Sequence, residues 1–179
     1  MSKAVEQLKR QLLEAADGQR AYAVLDGASI PGLLAQLVKT PPVEHVCLYR
    51  GELEPEIAEV APYLVQLAPD NDFTEWLLSN GWGKHWGVLL LTRATLVEVR
   101  NHLRRLLTVH DQSGKAMLFR FYDPRVLKSF VVQCLPAELE QLFGPIEVYY
   151  AEKATDANAP AVALRWQNKR LRREELTGS

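Results

Sequence analysis

Charged residues stand at the ends of four apolar runs. Asp26 follows AYAVL, Arg50 follows CLY, Arg93 follows LLLT, and MLFRFYDPR carries Arg120 within its apolar stretch and Asp123 and Arg125 at its close. Brought together, these groups would form a mixed-charge site able to grip an anionic group or a partner protein. Left apart, they have local duties. Asp123 ahead of Pro124 has the form of a helix N-cap followed by proline at the first helical position. Arg120 inside an apolar run calls for a buried ion pair, because an unpaired buried charge is strongly destabilising. Asp26, Arg120 and Asp123 are therefore read as a structural charge network.

Catalysis needs more than charges on an edge. A phosphate-binding loop requires glycines that let backbone N–H groups close around the ligand, and LDGASIPG and LYRGELEP match neither the P-loop nor the dinucleotide pattern. No G-x-S-x-G nucleophile elbow is present, and Ser29, Ser79, Ser113 and Ser129 lack a triad context. His102 and His110 flank one helix end without the i,i+4 spacing that converges on a metal. The sequence thus offers no catalytic residue, no metal ligand set and no cofactor motif, and an enzyme is not expected. The alternative is a small enzyme that uses the strand-end charges on an anionic, phosphate-bearing substrate.

The elements that would position these charges alternate between strand and helix. An opening helix carries Val5, Leu8 and Leu12 at helical spacing. Strands are expected at Ala21–Leu25, His45–Tyr49, Tyr63–Leu67, His85–Leu91, Met117–Phe121 and Ile146–Tyr150, with a further one at Ala161–Trp166. Helices lie between them, one from about Ile30 to Val38, one capped by Asp72, and one opened by a Thr95–Glu98 capping box. A last helical stretch starts at Pro124, is interrupted at Pro136 and closes near Phe143-Gly144. Strands apolar on successive residues and separated by helices imply a sheet covered on both faces with largely parallel pairing. The expected fold is α/β, a mainly parallel sheet of about six strands flanked by helices, with an antiparallel edge strand allowed near the C-terminus. Parallel strands would gather Asp26, Arg50, Arg93 and Asp123 at the carboxyl edge, where open α/β sheets place their ligand crevices.

Composition narrows the partners. The chain has 179 residues, 21 basic and 22 acidic, so no global field draws it to nucleic acid or to an anionic membrane. At 47% hydrophobic content it can bury a core without staples. Cys47 and Cys134 each lie in an apolar run and read as reduced, buried thiols of a cytosolic protein. MSKAVEQLKRQLLEA lacks the apolar core of a signal peptide, and no run approaches a membrane span, so the expected location is cytoplasmic.

YAVLDGA (Tyr22 to Ala28), LYRGE (Leu48 to Glu52), APYLVQL (Ala61 to Leu67), HWGVLLL (His85 to Leu91), LRRLLTV (Leu103 to Val109) and LFRFYDPRVL (Leu118 to Leu127) together resemble the effector-chaperone family of bacterial type VI secretion, the adaptors called Tap or TEC proteins. The resemblance covers Ala21 to Tyr150. It implies a cytosolic, non-enzymatic adaptor that binds a cognate toxic effector and helps load it onto the VgrG spike, often through a PAAR-type tip. It carries over no catalytic residues. Many members look longer, with a helical lobe behind the α/β lobe, whereas here residues 1–150 form the lobe and 151–179 a short strand and basic tail. Trp166 with Arg170, Arg172 and Arg173 has the composition of an interface anchor. The expected partner-binding residues are accordingly Arg50, Arg93, Arg125, Trp166, Arg170, Arg172 and Arg173. A nucleic-acid partner is not expected, since Glu174 and Glu175 directly follow the basic run.

Overall fold

Residues 20–26 of the chain, RAYAVLD, form a strand in which every residue after the first is buried. Both faces are covered, Ala21, Ala23 and Leu25 on one side and Tyr22 and Val24 on the other. The computed structural model describes residues 2–14, 18–39, 43–111, 113–156 and 158–176. Its strands are β1 (Arg20–Asp26), β2 (His45–Cys47), β3 (Pro62–Leu67), β4 (Gly87–Thr92), β5 (Thr108–His110), β6 (Ala116–Leu118), β7 (Ile146–Glu152), β8 (Ala161–Gln167) and β9 (Arg170–Leu176). Its helices are α1 (Lys3–Leu13), α2 (Leu33–Leu37), α3 (Pro55–Val60), α4 (Asp72–Gly81), α5 (Leu96–Leu106), α6 (Pro124–Val131) and α7 (Pro136–Phe143).

One seven-stranded sheet has the order β2-β3-β1-β4-β7-β8-β9, and every neighbouring pair in it is antiparallel. The expectation of a mainly parallel sheet is therefore wrong. The helical crossovers from β1 to β2 and from β3 to β4 do join strands of the same direction. A third strand lies between the members of each pair, β3 in the first and β1 in the second. Alternating strands and helices report crossovers, and crossovers do not say which strands become neighbours. Continuous apolar runs report only that both faces are covered.

The layers follow from the period of two along each strand. Val5, Leu8 and Leu12 of α1, Leu33 and Leu37 of α2, and Phe73, Leu77 and Leu78 of α4 pack on the face that carries Ala23, Val65, Leu91 and Tyr150. Val99 and Leu103 of α5, Leu127 and Val131 of α6, and Leu139 and Leu142 of α7 pack on the face that carries Tyr22, Leu90 and Tyr149. Two helix starts follow the sequence pattern. Thr95 and Glu98 form a capping box, and Asp123 accepts from the Arg125 backbone N–H at 2.9 Å. The cap of α4 is Asn71, which accepts from Phe73 and Thr74, and Asp72 is its first helical residue.

The strand expected at Met117–Phe121 is replaced by two different structures. Ala116–Leu118 pairs with Thr108–His110 in a separate, exposed hairpin. The chain then turns, with the Asp123 N–H on the Arg120 carbonyl at 3.0 Å, and drops Phe121 and Tyr122 into the core beneath α5 and α6. The apolar run is a buried turn segment, whose side chains fill a core without joining the sheet. Residues 170–176, expected as a basic tail, form edge strand β9 after the two-residue turn Asn168–Lys169, where both φ angles are positive, 52° and 57°, as a type I′ hairpin requires. Cys47 and Cys134 are unbonded and half-buried rather than buried. Burial pushes the Cys134 thiol up to about 11.

Candidate functional site

Antiparallel pairing splits the charges that a parallel sheet would have gathered. Asp26 lies at one end of β1, while Arg20, at the other, is paired with Thr92 beside Arg93. Arg93 is thus about 20 Å from Asp26 along the strand. The shared carboxyl edge, and with it the crevice on which the enzyme alternative rested, has no counterpart in this sheet.

The Asp26 end is internally neutralised. Asp26 is 2% exposed and accepts from the Ala28 N–H at 3.2 Å and the Ser29 hydroxyl at 2.8 Å, so it caps the 3₁₀ turn Gly27–Ser29. The guanidinium of Arg120 forms an ion pair with Oδ2, the same oxygen that accepts from Ser29. Burial opposes the charge on Arg120, but the Asp26 carboxylate outweighs it and raises the Arg120 pKa. Asp123 is 4% exposed and grips Arg125 through two contacts, Nε to Oδ1 at 3.0 Å and Nη2 to Oδ2 at 2.7 Å. Burial would push its carboxyl up, yet the hydrogen bonds from Arg125 overcome this and hold it below the usual range. Arg50 lies at this end, exposed, beyond the short β2. Nearby, Arg104 of α5 donates to the carbonyls of Cys47, Leu48 and Tyr49 and ties the β2 segment to the helical layer.

The opposite end of the sheet carries a polar cleft of about 640 Å³ between α1 and strands β4, β7 and β8. Its lining includes Arg10, Gln11 and Glu14 of α1, Glu147 and Tyr150 of β7, and Arg165 of β8. Glu147 meets Arg93 at 3.4 Å on the rim. Tyr150 reaches Gln11 at 3.5 Å, and burial raises its hydroxyl pKa. The sequence did hold a signal for this cleft. Gln7, Arg10, Gln11 and Glu14 recur at helical spacing beside the apolar stripe of α1, which marks a second, polar face.

The tail residues divide between the two faces of the sheet. Arg170 and Arg172 stand opposite Gln167 and Arg165, both of which line the cleft. Trp166 and Leu171 pair across the strands on the other face, half-buried against the α5–α7 layer, and Arg173 shares that face. Trp166 and the three arginines therefore do not form one patch. Arg170, Arg172 and Arg173 are exposed, and their side chains have no hydrogen bond or ion pair among the described residues. The acids that follow them are partly engaged, Glu174 with Arg165 at 3.4 Å and Glu175 with Lys153 at 2.7 Å.

Such an arrangement could engage a partner by charge and shape. Among the described residues no group of three or more histidines, cysteines and acids could hold a metal ion, and no helix is long and apolar enough to cross a membrane. No curated protein and no solved structure matches the chain. The family model described as a domain of unknown function, DUF4123, matches residues 21–141, which run from β1 into α7.

Proposed function

Because the chain belongs to the DUF4123 family, known as the effector chaperones and adaptors of type VI secretion, we propose that it works in the cytoplasm as a non-catalytic adaptor. It binds a cognate toxic effector and helps load it onto the VgrG spike, through a PAAR-type tip where the effector carries one. The family match over residues 21–141 carries this reading. The distribution of charge supports it, since an adaptor needs two separate partner surfaces and the arginines divide into two groups. The effector is gripped at the cleft, rimmed by Arg93, Arg170 and Arg172. Arg50 and Arg125 at the other sheet end, with Trp166 and Arg173 on the other face, serve the spike or tip.

Co-expression with any toxin and spike genes found beside its own tests the proposal. A tagged adaptor retains the toxin, the Arg170→Glu/Arg172→Glu double variant loses it, and Arg125→Ala retains it. A wild-type adaptor that lets the neighbouring toxin pass unretained at physiological salt would sink the reading. So would hydrolysis of an ester or nucleotide by the purified chain, abolished by Asp123→Asn.

A further inference from the structure

Strand β9 ends the seven-stranded sheet, and its outer edge has no partner among the described residues. The turn fixes which backbone groups face outward. In a hairpin with a two-residue loop, the pair flanking the loop is hydrogen-bonded, so Arg170, Arg172, Glu174 and Leu176 bond inward to β8. Leu171, Arg173 and Glu175 then present their N–H and C=O groups to the open side.

The charges along this edge have an order. Its first half is basic, with Arg170, Arg172 and Arg173, and its second half is acidic, with Glu174 and Glu175. An antiparallel copy of the same strand would lay basic half against acidic half. Outward-bonding residues must face outward-bonding residues, so the register centred on Arg173 is allowed. It sets Leu171 against Glu175 of the second copy and Arg172 against Glu174 of the second copy, twice over by symmetry. Arg172 and Glu174 then form the non-hydrogen-bonded pairs, where cross-strand side chains approach most closely. The like-charge contact of Arg173 with itself sits on the two-fold axis, with Glu175 of the second copy diagonal to each guanidinium. A parallel addition in register would set arginine against arginine and glutamate against glutamate.

We propose that β9 is a self-complementary edge that pairs with β9 of a second copy, joining two sheets into one about a two-fold axis. Charged edges also serve to keep sheets apart, but a purely protective edge needs no segregation of sign. The Glu174 side chain is 68% exposed despite its contact with Arg165, so it can be shared with a second arginine. One paired strand buries less than the ~800 Å² per partner of a stable complex, which places the dimer in the weak, reversible class. Side chains stand perpendicular to a sheet, so pairing consumes the backbone edge and leaves Arg170 and Arg172 on the cleft face. The inference stands independently of the effector reading.

Sedimentation equilibrium of the full chain, from low micromolar to several hundred micromolar, reads the result directly. A monomer–dimer equilibrium is expected. Arg172→Glu weakens it about tenfold by turning two opposite-charge pairs into like-charge pairs, and Arg172→Glu/Glu174→Arg restores it. Arg173→Ala strengthens the dimer by removing the contact on the axis. Arg173→Pro abolishes it while leaving the hairpin folded, because the lost N–H points outward and proline is tolerated at such edge positions. A chain that stays monomeric throughout the range refutes the proposal. A dimer that both Arg172→Glu and Arg173→Pro leave intact refutes it equally, since the interface would then lie elsewhere.

Discussion

Gly144→Ala tests the seam between the sheet and its second helical layer. Gly144 ends α7 with φ 49° and ψ −116°, a backbone conformation that residues with a Cβ rarely adopt. A Cβ added there would stand 2.3 Å from Cε1 and 2.6 Å from Nδ1 of His102. The ring has little room to yield. His102 is 5% exposed, and its Nε2 lies 3.1 Å from the Leu142 carbonyl, which also accepts from the Tyr149 hydroxyl at 3.0 Å. Backbone strain contributes about 1–2 kcal/mol, and overpacking against a buried ring about 1–3 kcal/mol. The expected loss is therefore about 2–5 kcal/mol, or about 4–20 °C in Tm for a domain of this size. Urea unfolding followed by circular dichroism measures it. A His102→Ala background should recover the overpacking part but not the strain, giving a coupling of about 1–3 kcal/mol in the double-mutant cycle. If Gly144→Ala stays within about 0.5 kcal/mol of the wild type, or costs the same with and without His102, the packing of this seam has been misread.

Three further outcomes are expected. Asp123→Ala should cost about 1–2 kcal/mol by removing the N-cap of α6, whereas Arg125→Ala should cost far less, because that guanidinium is 62% exposed; equal losses in chemical denaturation would contradict the assignment. Arg104→Ala should remove donors to three backbone carbonyls and cost about 1.5–3 kcal/mol, and Arg104→Lys should not restore them. Faster hydrogen exchange at the Leu48 amide, which bonds to Pro62 beside this anchor, is the readout. Burial lowers the pKa of His102, so the unfolded state binds the proton first as pH falls through about 6.5. Stability linked to His102 is thus present above that pH and lost below it, and unfolding midpoints of His102→Gln should show a shallower decline than wild type between neutral and mildly acidic pH.

Local chemistry was legible in the sequence wherever a few adjacent residues decide the outcome. The Thr95–Glu98 capping box and the Asp123-Pro124 helix start are reciprocal contacts over two or three positions, and no distant segment competes with them. Strand neighbours are a different matter. RAYAVLD reads as buried on both faces, but nothing within it says that β3 and β4 rather than β2 will flank it. That error carried into the site, because the position of Arg93 depends on the direction of β4. The run LFRFY misled for a related reason, as aromatic side chains fill a core equally well from a strand or from a turn beneath two helices. In the tail, the Asn168-Lys169 turn was hidden by chemistry, since neither residue is the glycine that usually marks a positive φ. Once β9 is a strand, its period of two sends Arg172 and Arg173 to opposite faces. Composition alone had grouped them.

Partnered and unpartnered charge separates scaffold from surface in this protein. Asp26 and Asp123 are buried, and each engages an arginine and also caps a turn or helix. Removing either carboxylate would take away an ion pair and a cap together, so these contacts act as fixed joints. Arg10, Arg170, Arg172 and Arg173 differ, for they are exposed and have no ion pair among the described residues. In a chain with 21 basic and 22 acidic residues this local excess cannot come from net charge. It arises because Glu174, Glu175 and Glu147 are drawn to Arg165, Lys153 and Arg93. An acidic partner at the cleft would meet arginines that need not first give up an internal contact, and would be steered there by a field that salt screens within about 8–10 Å. Association through this surface should slow as ionic strength rises, while the Asp26–Arg120 joint, with its carboxylate buried, should change little. A binding rate indifferent to salt would move the effector grip away from these arginines and onto the exposed apolar residues of the helical layers.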